Sequence, residues 1–325
     1  MELPVMQSNK KYALILLGPT GVGKSGCAEL LAESMPAEII NMDIGSFYTR
    51  LKIGTAKPDW KKSPILHHMF DVIDKPESLS VTQYRTMVSK ILNDVWQRGN
   101  VPILVGGSGF YLKSLFFPPK INPSCPEGSK KIQNDDVSWE KLNSIDPARA
   151  KHIHPNDTYR ITRALELWAS TGKKPSELVP AYNPLITDYD LVYLTRDRNE
   201  LYTIINERTT QMMQQGLPDE AYQLYKDPEW KNFLSHKKII GYDDFFPYFA
   251  QHGNNNKPIW LKQVADKIGC RTRAYARRQE IFWKMLKKML RDAGDNNDKE
   301  MNLSSIERNY CVEQMKEMVC NKQVA

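Results

Sequence analysis

Six mostly apolar residues, Tyr12 to Leu17, run straight into Gly18-Pro-Thr-Gly-Val-Gly-Lys-Ser25, and a helical pattern follows to about Met35. No other stretch limits the possible folds as strongly. A buried strand, a glycine-rich turn and a helix in immediate succession form the opening unit of a parallel α/β sheet. The glycines let backbone N–H groups point into one concavity at the helix N-terminus, a nest for phosphate oxygens. Gly18, Thr20, Gly21, Val22 and Gly23 form that cradle, Lys24 adds a point charge, and the Ser25 hydroxyl suits Mg²⁺. A glycine turn without a ligand is the bland alternative, and the strand-to-helix placement argues against it.

The same alternation continues along the chain. Glu38–Asp43 reads as a second buried strand. Ser80 with Gln83 has capping-box spacing for a helix to about Arg98, stopped by Gly99. Val101–Gly107 is a third strand, and Gly109–Phe117 starts another helix. Strands alternating with helices predict a parallel sheet with right-handed crossovers. Residues 117–136 are rich in Pro, Ser, Lys and Asn and read as an irregular excursion. Helical patterns resume from Trp139 to Ala169, and Asp190–Leu194 returns the chain to the sheet. Helices then cover Glu200–Gln215, Pro218–Tyr225 and Pro258–Leu290. The expected organisation is a first core segment (1–116), a mostly helical insertion (117–185), a second core segment ending in a basic helix (186–291) and a flexible polar tail (292–325) with room for one short helix.

Charge is concentrated in one of these segments. Between Lys257 and Arg291 there are eleven Lys/Arg against Asp266 and Glu280, a balance of +9; the chain totals +7, so the remainder carries −2. Such a stripe is the footprint of a polyanionic partner, or a solvated helix face. In it Arg271, Tyr275, Arg278 and Phe282 share one helical face, and interleaved cations and aromatics suit RNA, although aromatics alone are more often core. No run approaches the roughly 18 apolar residues that span a membrane, and no signal-like stretch opens the chain. Five cysteines with no CxxC pair fit a reducing, cytoplasmic setting without structural zinc.

The phosphate loop lacks its usual companion. A P-loop ATPase carries a metal-holding carboxylate at the end of a neighbouring strand, whereas Val101–Val105 ends in Gly106-Gly107-Ser108-Gly109. Asp43, closing the second strand, offers a carboxylate instead. A lone Asp after a strand is commonly a cap, but this one falls at the sheet edge where α/β ligands bind. A base beside a bound diphosphate points to group transfer rather than hydrolysis. His67 and His68 are adjacent and so poorly placed to share one metal ion; core or supporting roles suit them better.

With these pieces the chain resembles the tRNA dimethylallyltransferases. The segments that carry the resemblance are GPTGVGKS (18–25), IGTAKP (53–58), HH (67–68), VGGSGFYLKSL (105–115), DP (146–147), HPND (154–157), RITRALELW (160–168), TGKKPSEL (171–178), IGY (240–242) and TRAYARRQ (272–279). The resemblance spans roughly residues 12 to 285. It implies that the loop holds the diphosphate of dimethylallyl diphosphate, and that the prenyl group moves to N6 of the adenosine beside the anticodon of tRNA. It implies Asp43 as general base, Ser108 as a positioning hydroxyl in place of the family's usual Thr, and Arg208 with Lys24 and Mg²⁺ as the charges that receive the leaving group. It further implies contacts to the anticodon stem-loop from the Asp43-Ile44-Gly45-Ser46 turn, Ser108, the run Tyr159, Arg160, Ile161, Thr162 and Arg163, and Arg271, Arg277 and Arg278. The enzyme so implied is a monomer without a membrane partner.

Four departures from the family pattern mark a divergent member. Ile44-Gly45-Ser46 stands where Ser-x-Gln is usual, Ile204 replaces an arginine, Asp243 replaces a basic residue, and the excursion up to Asp146 is short. A smaller acceptor such as AMP, a P-loop nucleotide kinase and an RNA-binding paralogue without chemistry are the alternative readings.

Overall fold

The apolar runs become strands because they can be covered on both faces. In the computed structural model, which describes residues 11–118, 137–178, 183–255 and 257–324, β1 (Tyr12–Leu17), β2 (Ala37–Asn41) and β4 (Val101–Val105) are buried along their whole length. Runs without alternation are what a parallel sheet sandwiched by helices selects. Each fully buried Leu or Ile of β1 contributes about 1.5–3 kcal/mol. With β3 (His67–His68), β5 (Asp188–Thr195) and β6 (Asp298–Asn302) the sheet has the order β3-β2-β4-β1-β5-β6, and every pairing is parallel. The helices that connect and cover it are α1 (Lys24–Ser34), α2 (Val81–Gln97), α3 (Gly109–Phe116), α7 (Arg198–Gln214), α8 (Leu217–Lys226), α9 (Pro228–Lys237), α10 (Phe246–His252), α11 (Pro258–Asp292) and α12 (Arg308–Val324).

Register decides where the chemistry falls. Val105 lies opposite Leu16 on β1 and Asn41 on β2. The residues that follow, Gly18, Asp43 and Gly107, therefore leave the sheet side by side at its carboxyl edge.

The end of the chain corrects the expectation of a flexible tail over 292–325. Asp298–Asn302 is an edge strand beside β5, with Met301 opposite Leu194. Cys311, Val312, Met315 and Val319 of α12 join Cys27, Ala28, Leu31 and Ala32 of α1 in one buried cluster. An edge strand that buries one residue, Met301, shows no apolar run in the sequence, and α12 is otherwise polar. Two further helices were also not foreseen. Asp227 caps α9 by accepting from the amides of Glu229 and Trp230, and α10 rests on Phe246 and Phe249. The short strand β3 uses the histidines structurally: His68 Nε2 is 2.6 Å from Glu38 Oε2, and His67 Nδ1 is 2.9 Å from Ile65 O.

The chain divides into two compact units, one of residues up to 78, 87–113 and 186 onward, the other of 79–86 and 114–185. Most of the irregular excursion, 119–136, lies outside the described residues. The second unit contains α4 (Trp139–Ile145), α5 (Pro147–Ala150) and α6 (Thr158–Thr171) around a core of Leu142, Ala150, Ile153, Ile161, Ala164 and Leu165. Asp146, wholly buried, accepts from the amides of Arg149 (2.9 Å) and Ser176 (2.8 Å) and from the Ser176 hydroxyl (2.7 Å). Burial would raise its pKa, but these bonds outweigh it and hold the carboxyl below its usual range. That one residue ties the DP segment to TGKKPSEL.

Candidate active site

The phosphate loop starts with a tight passage. Gly18 has φ +149°, and a Cβ there would come within 2.5 Å of Leu194 O on β5. Only glycine lets the loop turn this close to its neighbour. Lys24 begins α1 and is folded back, its Nζ donating to Gly18 O and Pro19 O at 2.9 Å each. Burial lowers its pKa to about 8; Asp43 opposes the shift and Arg208 adds to it. Ser25 is exposed in the first turn of the same helix.

Asp43 stands at the end of β2 as the cap of a short 3-10 turn over Ile44–Phe47. Its Oδ1 accepts from the Gly107 amide at 2.6 Å, and its own amide donates to Asn41 Oδ1 at 2.9 Å. The second oxygen, Oδ2, has no hydrogen-bond partner among the described residues. Arg208, on α7, has Nη1 3.4 Å from Thr20 Oγ1 and Nη2 3.4 Å from Thr55 O. Burial lowers its pKa and Asp43 opposes that shift. Lys24, Arg208 and Asp43 therefore form one electrostatic group, two cations and a carboxylate in a poorly hydrated place. Ser108, buried, follows Gly107 directly.

Helix α11 closes the group from outside the sheet, through residues that the sequence reading did not single out as site residues. Gln279 Oε1 accepts from the Thr20 amide at 2.8 Å, and Nε2 donates to Gly107 O at 3.0 Å. Tyr275 lies inward as well. Burial first and the Asp43 charge second push its phenol well above the usual value, with Arg278 and a hydrogen bond to Gln279 opposing. Two more cations were missed: the guanidiniums of Arg196 and Arg308 approach Gly23. Neither follows a motif, and Arg308 arrives only because the chain's end is folded.

A family model described as IPP transferase matches residues 46–285. A tRNA dimethylallyltransferase of Anoxybacillus flavithermus is 35% identical, over 83% of this chain and 86% of its own. The tRNA dimethylallyltransferase of Bacillus subtilis is 33% identical over 86% and 89%. Among solved structures, a eukaryotic dimethylallyltransferase acting on tRNA aligns with a TM-score of 0.79 at 25% identity, covering 96% of this chain and 80% of that one. A tRNA isopentenylpyrophosphate transferase from Bacillus halodurans aligns with a TM-score of 0.66 at 27% identity, covering 97% of each chain. The chain belongs to the IPP transferase family.

In this IPP transferase the segments that carry the resemblance hold one another. Glu220 accepts from the amides of Ile53 (3.0 Å) and Gly54 (3.3 Å) in IGTAKP and from the Tyr242 hydroxyl (2.7 Å) in IGY. The departures have visible surroundings too. Ile204, with Leu201 and Ile205, lines the approach to Gly21 with apolar atoms. Ile44 is exposed and Ser46 is buried. Asp243 is 2.9 Å from Arg271, whose guanidinium also lies 2.6 Å from the fully buried Asp244 and donates to Lys238 O at 2.9 Å.

That last arrangement changes the place of Arg271 among the expected RNA contacts, since its charge is spent inside the fold. Lys287 is likewise tied to Asp298 (2.9 Å) and Glu300 (2.7 Å). Arg277 and Arg278 are exposed, and Arg278 lies over the Tyr275 ring, 5.7 Å from its centroid. In the second unit Ile161 belongs to the core and is closed to RNA, a correction to its place in that list. Tyr159 is 78% exposed, Arg160 is exposed beside Asp157 (3.3 Å), Arg163 lies 2.7 Å from Glu166, and Thr162 donates to Thr158 O at 2.8 Å. No three acidic, histidine or cysteine residues group to hold a metal among the described residues. No helix among them is long and apolar enough to cross a membrane.

Proposed function

We propose that this protein transfers the dimethylallyl group of dimethylallyl diphosphate to N6 of the adenosine 3′-adjacent to the anticodon in tRNA. The observation that carries the reading is Asp43 held at the Gly107 amide with one oxygen unengaged, in the electrostatic field of Lys24 and Arg208 at a phosphate loop. A base and the cations for a leaving diphosphate are then within reach of one reacting centre. The N6 lone pair attacks C1 of the dimethylallyl group, the C1–O bond breaks with its electrons going to diphosphate, and Asp43 takes the proton that N6 sheds. An exocyclic adenine amine is a weak nucleophile, so a placed carboxylate accelerates the step by about 10²–10⁴-fold. Lys24, Arg208 and the loop amides stabilise the charge that develops on the diphosphate.

A Mg²⁺ ion would be held by the Ser25 hydroxyl together with diphosphate oxygens, which fits an ion that keeps most of its waters. It would offset charge on the leaving group. The adenosine has to leave its stack to reach Asp43, and Ser108 with the Ile44–Ser46 turn borders its place. Tyr159, Arg160, Arg163, Arg277 and Arg278 contact the anticodon stem-loop. Such an enzyme works in the cytoplasm, where its tRNA is.

The test is incubation of the purified protein with unmodified tRNA and radiolabelled dimethylallyl diphosphate. Label on the adenosine following the anticodon is expected, with none on AMP supplied in parallel. Label on AMP alone, or phosphate transfer from ATP, would overturn the reading.

A further inference from the structure

The buried residues of α11 from Ala276 onward are hydrophobic apart from one amide. Ala276, Trp283, Leu286 and Leu290 are buried along the helix, and Gln279 is buried among them. A buried amide is costly to the fold unless its donor and its acceptor are both used. Here both are, and on main-chain groups of two different loops: the Thr20 N–H of the phosphate loop and the Gly107 carbonyl of the turn after β4. A backbone N–H only donates and a carbonyl only accepts, so the two partners fix which end of the amide is oxygen.

Gly107 shows that this contact is built for. A Cβ at that position would overlap Gln279 Nε2, so only glycine lets the amide reach the main chain. The same residue donates its N–H to Asp43 Oδ1 at 2.6 Å. A continuous line thus runs from the loop for the diphosphate, through Gln279 and Gly107, to the carboxylate for the adenosine.

We propose that Gln279 is a positioning residue of the transfer reaction, which holds the phosphate loop and the Asp43–Gly107–Ser108 group in register so that prenyl carbon, N6 and base meet. The inference rests on the proposed prenyl transfer. Gln279 touches neither reactant; it acts through Thr20 and Gly107. Holding two reactants at about 3–3.5 Å is a large part of what a two-substrate enzyme supplies, and small misplacements lower the rate steeply. A glutamate in its place would keep the acceptor for Thr20 and set a carboxylate oxygen against the Gly107 carbonyl. The residue therefore has to be an amide of this length.

The experiment measures single-turnover transfer at saturating substrates, KM for tRNA, and thermal unfolding, for the parent protein, Gln279→Met, Gln279→Glu, Gln279→Ala, Gly107→Ala and the double variant Gln279→Ala/Gly107→Ala. Gln279→Met keeps length and volume without any of the amide's hydrogen bonds. It is expected to lower the transfer rate by about 10- to 100-fold while KM for tRNA stays within about threefold. Gly107→Ala should cost a similar factor, because it expels the amide. The double variant should be no worse than either single one, since both break the same link. Should Gln279→Met fail to fold, Gln279→Glu carries the same expectation. Parent-level transfer by folded Gln279→Met or Gln279→Glu, a loss confined to KM for tRNA, or losses that multiply in the double variant would overturn the positioning role. Absence of transfer by the parent protein would instead overturn the reading of function on which the role rests.

Discussion

The phosphate loop and the basic helix α11 are both cationic, and they use charge in opposite ways. At the loop, Lys24 is buried and Arg208 half-buried, and both face one carboxylate, Asp43; burial lowers the pKa of each cation and Asp43 opposes the shift. Along α11 some cations are bound to acids of the fold, as Arg271 and Lys287 are, and others are left in water, as Arg277, Lys284 and Lys288 are. Charge in the first region is chemistry; in the second it divides into fold and electrostatic attraction. A count of +9 does not distinguish the two uses.

The comparison breaks most easily at Lys24. Lys24→Ala removes a buried ammonium that no other group replaces, and affinity for dimethylallyl diphosphate should fall by at least about 100-fold, since a charge-assisted bond lost in a desolvated site is worth several kcal/mol. Calorimetry checks this. Unchanged affinity would mean that the loop is not the diphosphate site.

On α11 the two populations of cations should separate. Neutralising Arg277, Arg278 and Lys284 together should flatten the slope of log affinity for tRNA against log salt by up to about three. Arg271→Ala should leave that slope alone and lower the unfolding free energy by about 1–3 kcal/mol, because the buried Asp244 then keeps only Lys267, 3.7 Å away, as a counter-charge. Filter binding at several salt concentrations and thermal melts measure both. If Arg271 moves the slope and the exposed set does not, the division is wrong.

A smaller effect comes from pH. Burial lowers the pKa of Lys24 in the free site to about 8, and a bound diphosphate raises it again by supplying negative charge. Between those two values binding takes up a proton. Affinity should therefore hold below pH 8 and fall above it, by up to about tenfold per pH unit. Lys24→Arg should bind with a flat profile over the same range. A parent profile that is flat from pH 7 to 9.5 would contradict the desolvated ammonium.

The loop and the carboxylate beside it were legible in the sequence because local order encodes their placement. Gly18 to Ser25 is contiguous, and Asp43 ends an apolar run, so strand register alone carries it to the site. Contacts between distant segments left no such trace. Gln279 is an uncharged residue within a stretch read for its charges, and nothing in TRAYARRQ says which residue turns inward. Arg271 looked like its neighbours because Asp243 and Asp244 come earlier in the chain and only folding sets them against it. The last strand was hidden by its position, since an edge strand needs few apolar residues and β6 buries only Met301. Ile161 was grouped with Tyr159 and Arg160 by adjacency, whereas helical spacing turns it into the core.

The central claim is that Asp43 acts on the adenosine and Lys24 on the diphosphate, and Asp43→Ala tests it most directly. Single-turnover transfer to tRNA and affinity for dimethylallyl diphosphate are measured on the same variant. Transfer should fall by about 10²–10⁴-fold while diphosphate affinity stays within about twofold of the parent. A parallel fall in both quantities, partly restored by added Mg²⁺, would instead make Asp43 part of the diphosphate site and contradict the account.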